Sequence, residues 1–514
     1  MRLDDFAFEL RALPGAMPIW HGLVHAAQWR RACEQVHEKG GRLVALWASD
    51  WTDQGGGYAV HAALTVRSGL LTITLPLGPE EGYPDISDLY AAANRMQRAT
   101  YDLLGVRARG AADQRKWLRH AAWPEDVFPL RKSFDAAQTF RNEVDGYPFV
   151  TVQGEGVHEI PVGPVHAGTI EPGHFRFSVV GEGVLRLEER LGYKHKGVEK
   201  LFESMDIMRG AKLAGRISCD STVAYAWSYA MAAEGAAGVT PPLRALWLRA
   251  LLLERERIGQ HLGDLGFLGN DAGLAFGLAQ FSRLREDWLR ASQALFGHRY
   301  LMDTVIPGGV ARDLPLSAFP EMNDEIERVR RAVIALRSIY DEHAGLQDRF
   351  IDAGRVRPEV AERLGLTGLA GRASAVAWDL RVQFPPVPYD QLDVEMSTHG
   401  NGDVAARVTV RFDEIFESLR LIGLLLARMP EGDIAIRLPE APEDALGIGW
   451  VEGWRGEVLI ALETGPENRI RRLHAHDPSW QNWPVVERAV LGNIVPDFPL
   501  INKSFNLSYS GHDL

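Results

Sequence analysis

EIPVGPVHAGTIEPGHFRFSVVGEGVLRLEERLGYKHKGVEK (Glu159–Lys200) is where the chain changes character. Two alternating stretches, HFRFSVV and VLRLEE, flank a Gly-Glu-Gly turn, and this pattern predicts a hairpin. Upstream of it, GPVHAGTIEPG gathers His166, Glu171 and His174 in a loop rich in Gly and Pro. Such a loop lets backbone approach a ligand closely, and imidazole and carboxylate groups relay protons. The same composition also fits an ordinary surface hairpin. Downstream, LGYKHKG joins the strand to a helix opening at Gly197, and the chain stays mostly helical to about Arg428.

Working back toward the start, the first 135 residues read as a small α+β module. Val24–Gly40 carries apolar residues at helical spacing. RLVALWASDW and YAVHAALTV read as strands joined by the glycine-rich DQGGG, and SGLLTITLPL as a third. A helix capped near Asp85 or Ser87 runs to Gly105, and the helices are expected on one face of the sheet. Residues 136–158 read as a linker. Residues 159–514 form the second unit. WLRALLLERERIGQHLGDLGFLG (Trp247–Gly269) and residues 323–347 are predicted long helices, followed by a hairpin in GIGWVEGWRGEVLIALE and a strand in RIRRLHAH. The fold class is thus α+β, with the small module preceding a mainly helical domain that contains a β-hairpin region.

Composition narrows the function. The 514 residues carry 56 basic and 68 acidic side chains, a formal charge of −12, which argues against nucleic acid held by general electrostatics. Two cysteines, Cys33 and Cys219, exclude a disulfide scaffold and any metal centre needing four thiolates from this chain. No run approaches the roughly 18–20 apolar residues of a membrane span. The opening MRLDDFAFEL lacks the basic-then-apolar order of a signal peptide, so a cytoplasmic location is expected. Dinucleotide-fold, P-loop, zinc-protease and nucleophile-elbow motifs are missing from the sequence.

Two more stretches carry polar groups in unusual company. GRISCDSTVAYAWSYA (Gly215–Ala230) sets Ser218, Cys219 and Ser221 at the head of a helix, where free N–H groups meet either a ligand or ordinary capping side chains. LLLERERIGQHLGDLG (Leu251–Gly266) puts Glu254, Arg257 and His261 on one helical face. Leu251, Leu252 and Leu253 make that helix apolar almost all round, so the charged row is expected to be buried against partners.

Read in order, these motifs resemble a fused pair of complex I subunits. RATYDLLGV, DQRKWL and WPEDVFPLRKSF (Trp123–Phe134) are similar to the end of the 30-kDa subunit. GPVHAGTIEPGHFRF, LGYKHKGVEK, GRISCDS, GDVAARVTVRFDEIFES, GWRGE, DPSWQNWP and DFPLINKSFNLSYSG resemble the 49-kDa subunit and the large subunit of group-4 membrane-bound nickel–iron hydrogenases, the formate hydrogenlyase type. The wording is nearer the hydrogenase-type branch.

The resemblance implies a site, and this sequence departs from it. Active hydrogenases of the family hold nickel and iron with two C-x-x-C pairs. The matching slots here are Ser218 and Ser221, then Ser508 and Gly511, so no metal is expected on this chain. In complex I the emptied cavity takes a quinone. The slot of its quinone-bonding tyrosine is Cys219 here, with Tyr225 and Tyr509 as substitute hydroxyls. His174 is the preferred counterpart of the quinone-bonding histidine, beside His166 in the same loop. Glu171 matches a proton-carrying glutamate, and Arg216 and Arg455 are expected as charged wall residues. Glu254, Arg257 and His261 are expected as a coupling network.

The implied function is an electron-transfer subunit of an NADH/quinone-type oxidoreductase assembly. The implied partners are a small iron–sulfur subunit holding the cluster, antiporter-like membrane subunits and quinone as substrate. The chain itself binds no cofactor and sits peripherally on the inner face of the cell membrane. The alternatives are a non-catalytic connector in an ion-translocating complex and an active nickel–iron hydrogenase.

Overall fold

The computed structural model describes residues 5–514 except 121–122, 142, 145 and 167–169. Positions 167–169, inside the loop expected to line the site, therefore lie outside the described residues.

The N-terminal sheet contains β1 (Arg11–Ala12), β2 (Ile19–Leu23), β3 (Leu43–Asp50), β4 (Tyr58–Val66) and β5 (Gly69–Leu77), in the order β1-β2-β5-β4-β3. The central connection is a parallel β2–β5 pairing, and the β3–β4–β5 meander is antiparallel. The sequence pattern reveals β3 to β5 but not β2, whose IWHGL is too short to stand out. Helices α1 (Ala26–Glu38) and α2 (Ala93–Leu104) bury Trp29, Val36 and Met96. Strand register sets His61 opposite both Trp47 and Thr74.

Between residue 110 and Val157 the described residues form neither helix nor strand. This segment is nevertheless anchored. Arg98 donates to the Tyr147 hydroxyl at 2.7 Å, and the Arg190 guanidinium lies 4.0 Å from the Tyr147 ring centroid.

The expected hairpin is a three-stranded sheet of β6 (Val157–Val162), β7 (His174–Val180) and β8 (Gly183–Arg190), with β7 central. The helical body follows: α3 (Thr222–Ala237), α4 (Leu243–Asp271), α5 (Ala275–Phe296), α6 (Phe319–Glu342) and α7 (Val404–Ala427). Helix α4 is 29 residues long and buried along nearly its whole length, as its all-round leucines require. The helix predicted over 323–347 breaks at His343, which leaves helical geometry and caps the next short helix through its ring nitrogen.

Strands β9 (Leu446–Glu452), β10 (Glu457–Thr464) and β11 (Ile470–His476) form a meander. Gly447 and Gly449 let β9 lie directly on α3, because a Cβ at either would strike the carbonyl of Ala232 or Ser228. The chain ends in α8 (Ser479–Ala489), α9 (Phe498–Phe505) and one last turn, Tyr509–His512. Trp47 stacks between His61 and His474, at 5.0 and 5.1 Å between centroids, so the N-terminal sheet packs face to face on β11. Among the described residues no helix is long and apolar enough to cross a membrane.

Candidate functional site

Three distant segments meet. Ser218, just before the turn that opens α3, reaches Ser508 across the molecule, with 2.9 Å between the hydroxyl oxygens. The hydrogen bonds run in one direction. A carboxylate only accepts, so the Ser218 hydroxyl donates to Asp220 at 2.7 Å. Ser218 therefore accepts from Ser508, and Ser508 accepts the Gly511 N–H at 2.9 Å. Arg455 closes the chain: it is ion-paired to Asp220, donates to Ser221 at 3.1 Å and bonds the Asn506 carbonyl. Asp220 stays below the usual carboxylate range because the Arg455 guanidinium outweighs its burial.

The fourth slot, Gly511, sits against Asp477. A Cβ there would overlap the Asp477 carboxylate, and Tyr225 fixes that carboxylate by donating its hydroxyl at 2.7 Å. Tyr225 is fully buried and committed to Asp477. Tyr509 is also buried, with its ring 4.9 Å from Trp483.

The loop before β7 joins from the other side. Glu171 accepts the Ser510 N–H at 3.0 Å and pairs with Lys194 at 3.5 Å. Gly173 packs on the Tyr509 ring so closely that a Cβ would collide with it. The His166 ring lies 6.2 Å from Tyr509 and 5.4 Å from Phe175, and burial lowers its pKa.

Two placements differ from expectation. His174, the preferred histidine, begins β7 with its side chain on the face opposite Phe175. Its Nδ1 meets the Gly163 carbonyl at 3.3 Å, Arg176 donates to its Nε2 at 3.4 Å, and its ring lies 5.2 Å from Phe149. Strand alternation thus turns His174 away from Tyr509 and leaves His166 beside it. Arg216 also turns outward, making a bidentate pair with Asp303 at 2.6 and 2.7 Å on the surface. Arg455 alone of the two arginines touches the serine cluster.

The sequence reading weighs LGYKHKG as a structural strand-to-helix connection and assigns its basic groups no role near Cys219. The cysteine is exposed, and its thiol pKa is raised by partial burial and by Asp220 and Glu171. Near it is Lys196, whose ammonium pKa is lowered by burial against the opposing pull of Glu171. Lys194 N–H and His195 Nδ1 both engage Asp513, at 2.6 and 3.1 Å. The signal was present in the paired basic residues of LGYKHKG, but their acidic partner comes 318 positions later.

The α4 row is buried and more extensive than expected. Glu254 accepts from Arg381 at 3.0 and 3.1 Å, from Tyr389 at 2.6 Å and from Ser418 at 2.6 Å. His261 meets Glu414 at 2.8 Å, and Arg372 ties Glu414 to Glu452. Arg257 donates to the Glu452 carbonyl at 2.8 Å. A parallel branch runs from Arg411 through Asp264 to Asn506, and so to Arg455. Among the described residues, no group of three or more His, Cys, Asp or Glu side chains is placed to hold a metal ion.

Comparison with known proteins identifies relatives of the whole chain. The family model for the respiratory-chain NADH dehydrogenase 30-kDa subunit matches residues 23–140, and that for the 49-kDa subunit matches 271–445. Formate hydrogenlyase subunit 5 of Escherichia coli is 30% identical over 486 residues, 93% of this chain and 85% of that protein. The fused NADH-quinone oxidoreductase C/D protein of Phocaeicola vulgatus is 29% identical over 448 residues, 82% of this chain and 85% of that protein. A chain of the membrane-bound sulfane sulfur reductase, an archaeal respiratory membrane complex, superposes with a TM-score of 0.66 at 26% identity, over 70% of this chain and 99% of that one.

Proposed function

The chain belongs to the family of fused 30-kDa/49-kDa-type subunits shared by complex I and formate hydrogenlyase-type hydrogenases, and on that premise we propose that it is an electron-transfer subunit of a membrane-associated oxidoreductase, reducing a quinone-type acceptor. The observation that carries this reading is the meeting of the Glu171 loop with the serine cluster, where Glu171 accepts the Ser510 N–H two residues from Ser508. The four positions read as the family slots hold two bonded hydroxyls, a third hydroxyl on Arg455 and a glycine.

That set does not fit a nickel–iron centre. Serine hydroxyls do not ionise near neutral pH and are poor ligands for soft metals. Asp477 fills the space a side chain at Gly511 would need. The Ser218 and Ser508 hydroxyls are bonded to one another, and the Ser221 hydroxyl is engaged by Arg455.

The acceptor is placed over the surface formed by Cys219, His166 and Glu171, completed by a small iron–sulfur subunit. The cluster of that partner supplies the electrons. This chain's residues supply protons. Glu171 is half-exposed and held by Lys194 and the Ser510 N–H. Lys196, its ammonium poised by burial, stands beside Cys219. His166 approaches from the loop, and Arg455 holds Asp220 ionised behind them. His174 and Arg216 are not assigned contact with the acceptor. The buried row of Glu254, Arg257 and His261 couples this region to the helical body through Glu414, Glu452 and Arg411. Antiporter-like membrane subunits and a peripheral position on the inner membrane face belong to the same proposal.

One observation favours the connector as second reading: the serine cluster is closed by its own hydrogen bonds, and a cysteine stands in the tyrosine slot. The test is quinone reduction by the purified assembly, with Glu171→Gln, His166→Ala and Lys196→Met. The proposal expects each to lower turnover about ten-fold or more while assembly survives, the usual scale for losing a proton donor. Unchanged turnover in all three supports the connector. Stoichiometric nickel by elemental analysis would overturn both readings.

A further inference from the structure

A cavity of about 560 Å³ lies far from the serine cluster, on the seam between the polar face of the N-terminal sheet and the β9–β10 hairpin. Its floor is a hydrogen-bonded row across four strands, β2, β5, β4 and β3. His21 Nε2 meets Thr74 Oγ1 at 3.0 Å, Thr74 Oγ1 meets His61 Nδ1 at 2.8 Å, and His61 Nε2 meets Ser49 Oγ at 3.0 Å. Ser49 donates to Glu463 at 2.5 Å.

That last bond fixes every proton in the row. A carboxylate only accepts, so the Ser49 hydroxyl donates to it and accepts from His61 Nε2–H. Burial keeps both imidazoles neutral, holding His21 at a pKa of about 4 and His61 at about 3. His61 Nδ1 is therefore an acceptor and takes the Thr74 proton. Thr74 in turn accepts from His21 Nε2–H. His21 Nδ1 is left with a lone pair, and no described residue bonds to it. The His21 side chain lines the cavity, and the residue is only 6% exposed.

The charges of the walls are also unbalanced. Arg471 is matched by ion pairs to Asp444, Glu443 and Asp53. Glu463 is 13% exposed and bonds only neutral donors, Ser49 and the Trp51 indole N–H at 2.8 Å, with uncharged His61 at 3.5 Å. No described arginine or lysine pairs with it, although a carboxylate this buried ordinarily has such a partner. Glu9 adds a second carboxylate to the rim, and Arg11 is the opposing charge. Trp51, Leu23 and Leu446 supply apolar wall.

We propose that this cavity is a binding site for a small organic amine with an apolar body, whose ammonium group compensates Glu463, while His21 Nδ1, at the other end of the row, offers a further acceptor in the same cavity. This inference does not depend on the redox reading, because the cavity shares no residue with the serine cluster. The test is calorimetric titration of the full 514-residue chain with 2-phenylethylamine, against 2-phenylethanol and phenylacetate as neutral and anionic counterparts of the same shape. The amine should bind saturably and at least about ten-fold more tightly than either counterpart, the worth of one charge-assisted hydrogen bond. Glu463→Gln should bring the amine down to the level of the alcohol. Leu446→Trp fills the space without removing a charge, and should abolish binding of all three should the first variant fold poorly. Absence of saturable amine binding, equal affinity for the alcohol or the acid, or undiminished amine binding in both variants would overturn the proposal.

Discussion

The hydroxyls of Ser218 and Ser508 lie 2.9 Å apart although 290 positions separate them in sequence. The bond is one link of a directed chain from the Gly511 N–H, through both serines, to the Asp220 carboxylate. Ser508→Ala should therefore leave two buried groups short of a partner and cost about 1–3 kcal/mol. Ser508→Thr keeps the hydroxyl and should lose less. Chemical denaturation of the two variants measures the difference, and equal loss from both would mean that the hydroxyl is incidental.

Gly511 faces Asp477, and Tyr225 holds Asp477 in place. Gly511→Ala forces a methyl group against that carboxylate and should cost about 1–3 kcal/mol, the usual scale of overpacking. Adding Asp477→Ala opens the space, so the pair should be less destabilised than the two single losses combined. Strict additivity would show that the overlap relaxes elsewhere. The same collision predicts that cysteines placed in all four slots will not restore a nickel site.

Much of this was legible in the sequence, and the limits have physical causes. Apolar stretches joined by glycine-rich turns announced β3 to β5 and the final meander. The convergence of GPVHAGTIEPGHFRF, GRISCDS and the tail followed from the family resemblance, and the contacts of Ser218 with Ser508 and Glu171 with Ser510 place them together. Side-chain direction did not follow. His174 sits at a strand start, where a one-residue step decides the face, and Arg216 found a surface partner in Asp303, 87 positions away. Long-range polar partners such as Asp513, Asp477 and Arg381 leave no local periodicity to read. The amine cavity was equally silent, since its histidines look like strand residues until β2, β4 and β5 align them.

The α4 network makes a sharper claim. Arg381 bridges Glu254 and Asp379, and all three are almost fully buried. Arg381→Met leaves two carboxylates facing one another without that cation and should cost about 3–5 kcal/mol. Combining it with Glu254→Leu removes one stranded charge and should recover part of the loss. A loss under about 1 kcal/mol for Arg381→Met would place the pair in the class of weak, solvated bridges.

Glu256 supplies the pH prediction. It lies one turn of α4 before Gln260, is 6% exposed, and accepts the Val223 and Ala224 N–H groups at 2.6 and 3.2 Å, capping α3 just after the serine motif. Burial raises its pKa from 4.5 to about 8, and those two N–H groups only partly offset the shift. The folded state therefore binds the proton more tightly than the unfolded chain does. The stabilisation from that proton is complete below about pH 4.5 and is lost as pH rises through about 8, with an overall size on the order of a few kcal/mol. Glu256→Gln cannot ionise, but its amide serves the two N–H groups less well. At pH 5 the variant should melt below the parent protein. By pH 8 the gap should close or reverse, because only the parent has been forced to bury a charge. Melting temperatures of both proteins at pH 5, 6.5 and 8 decide the matter, since titrations elsewhere in the molecule are common to the two. A gap that stays constant across that range would mean that Glu256 is ionised throughout and that the helix N-terminus outweighs its burial.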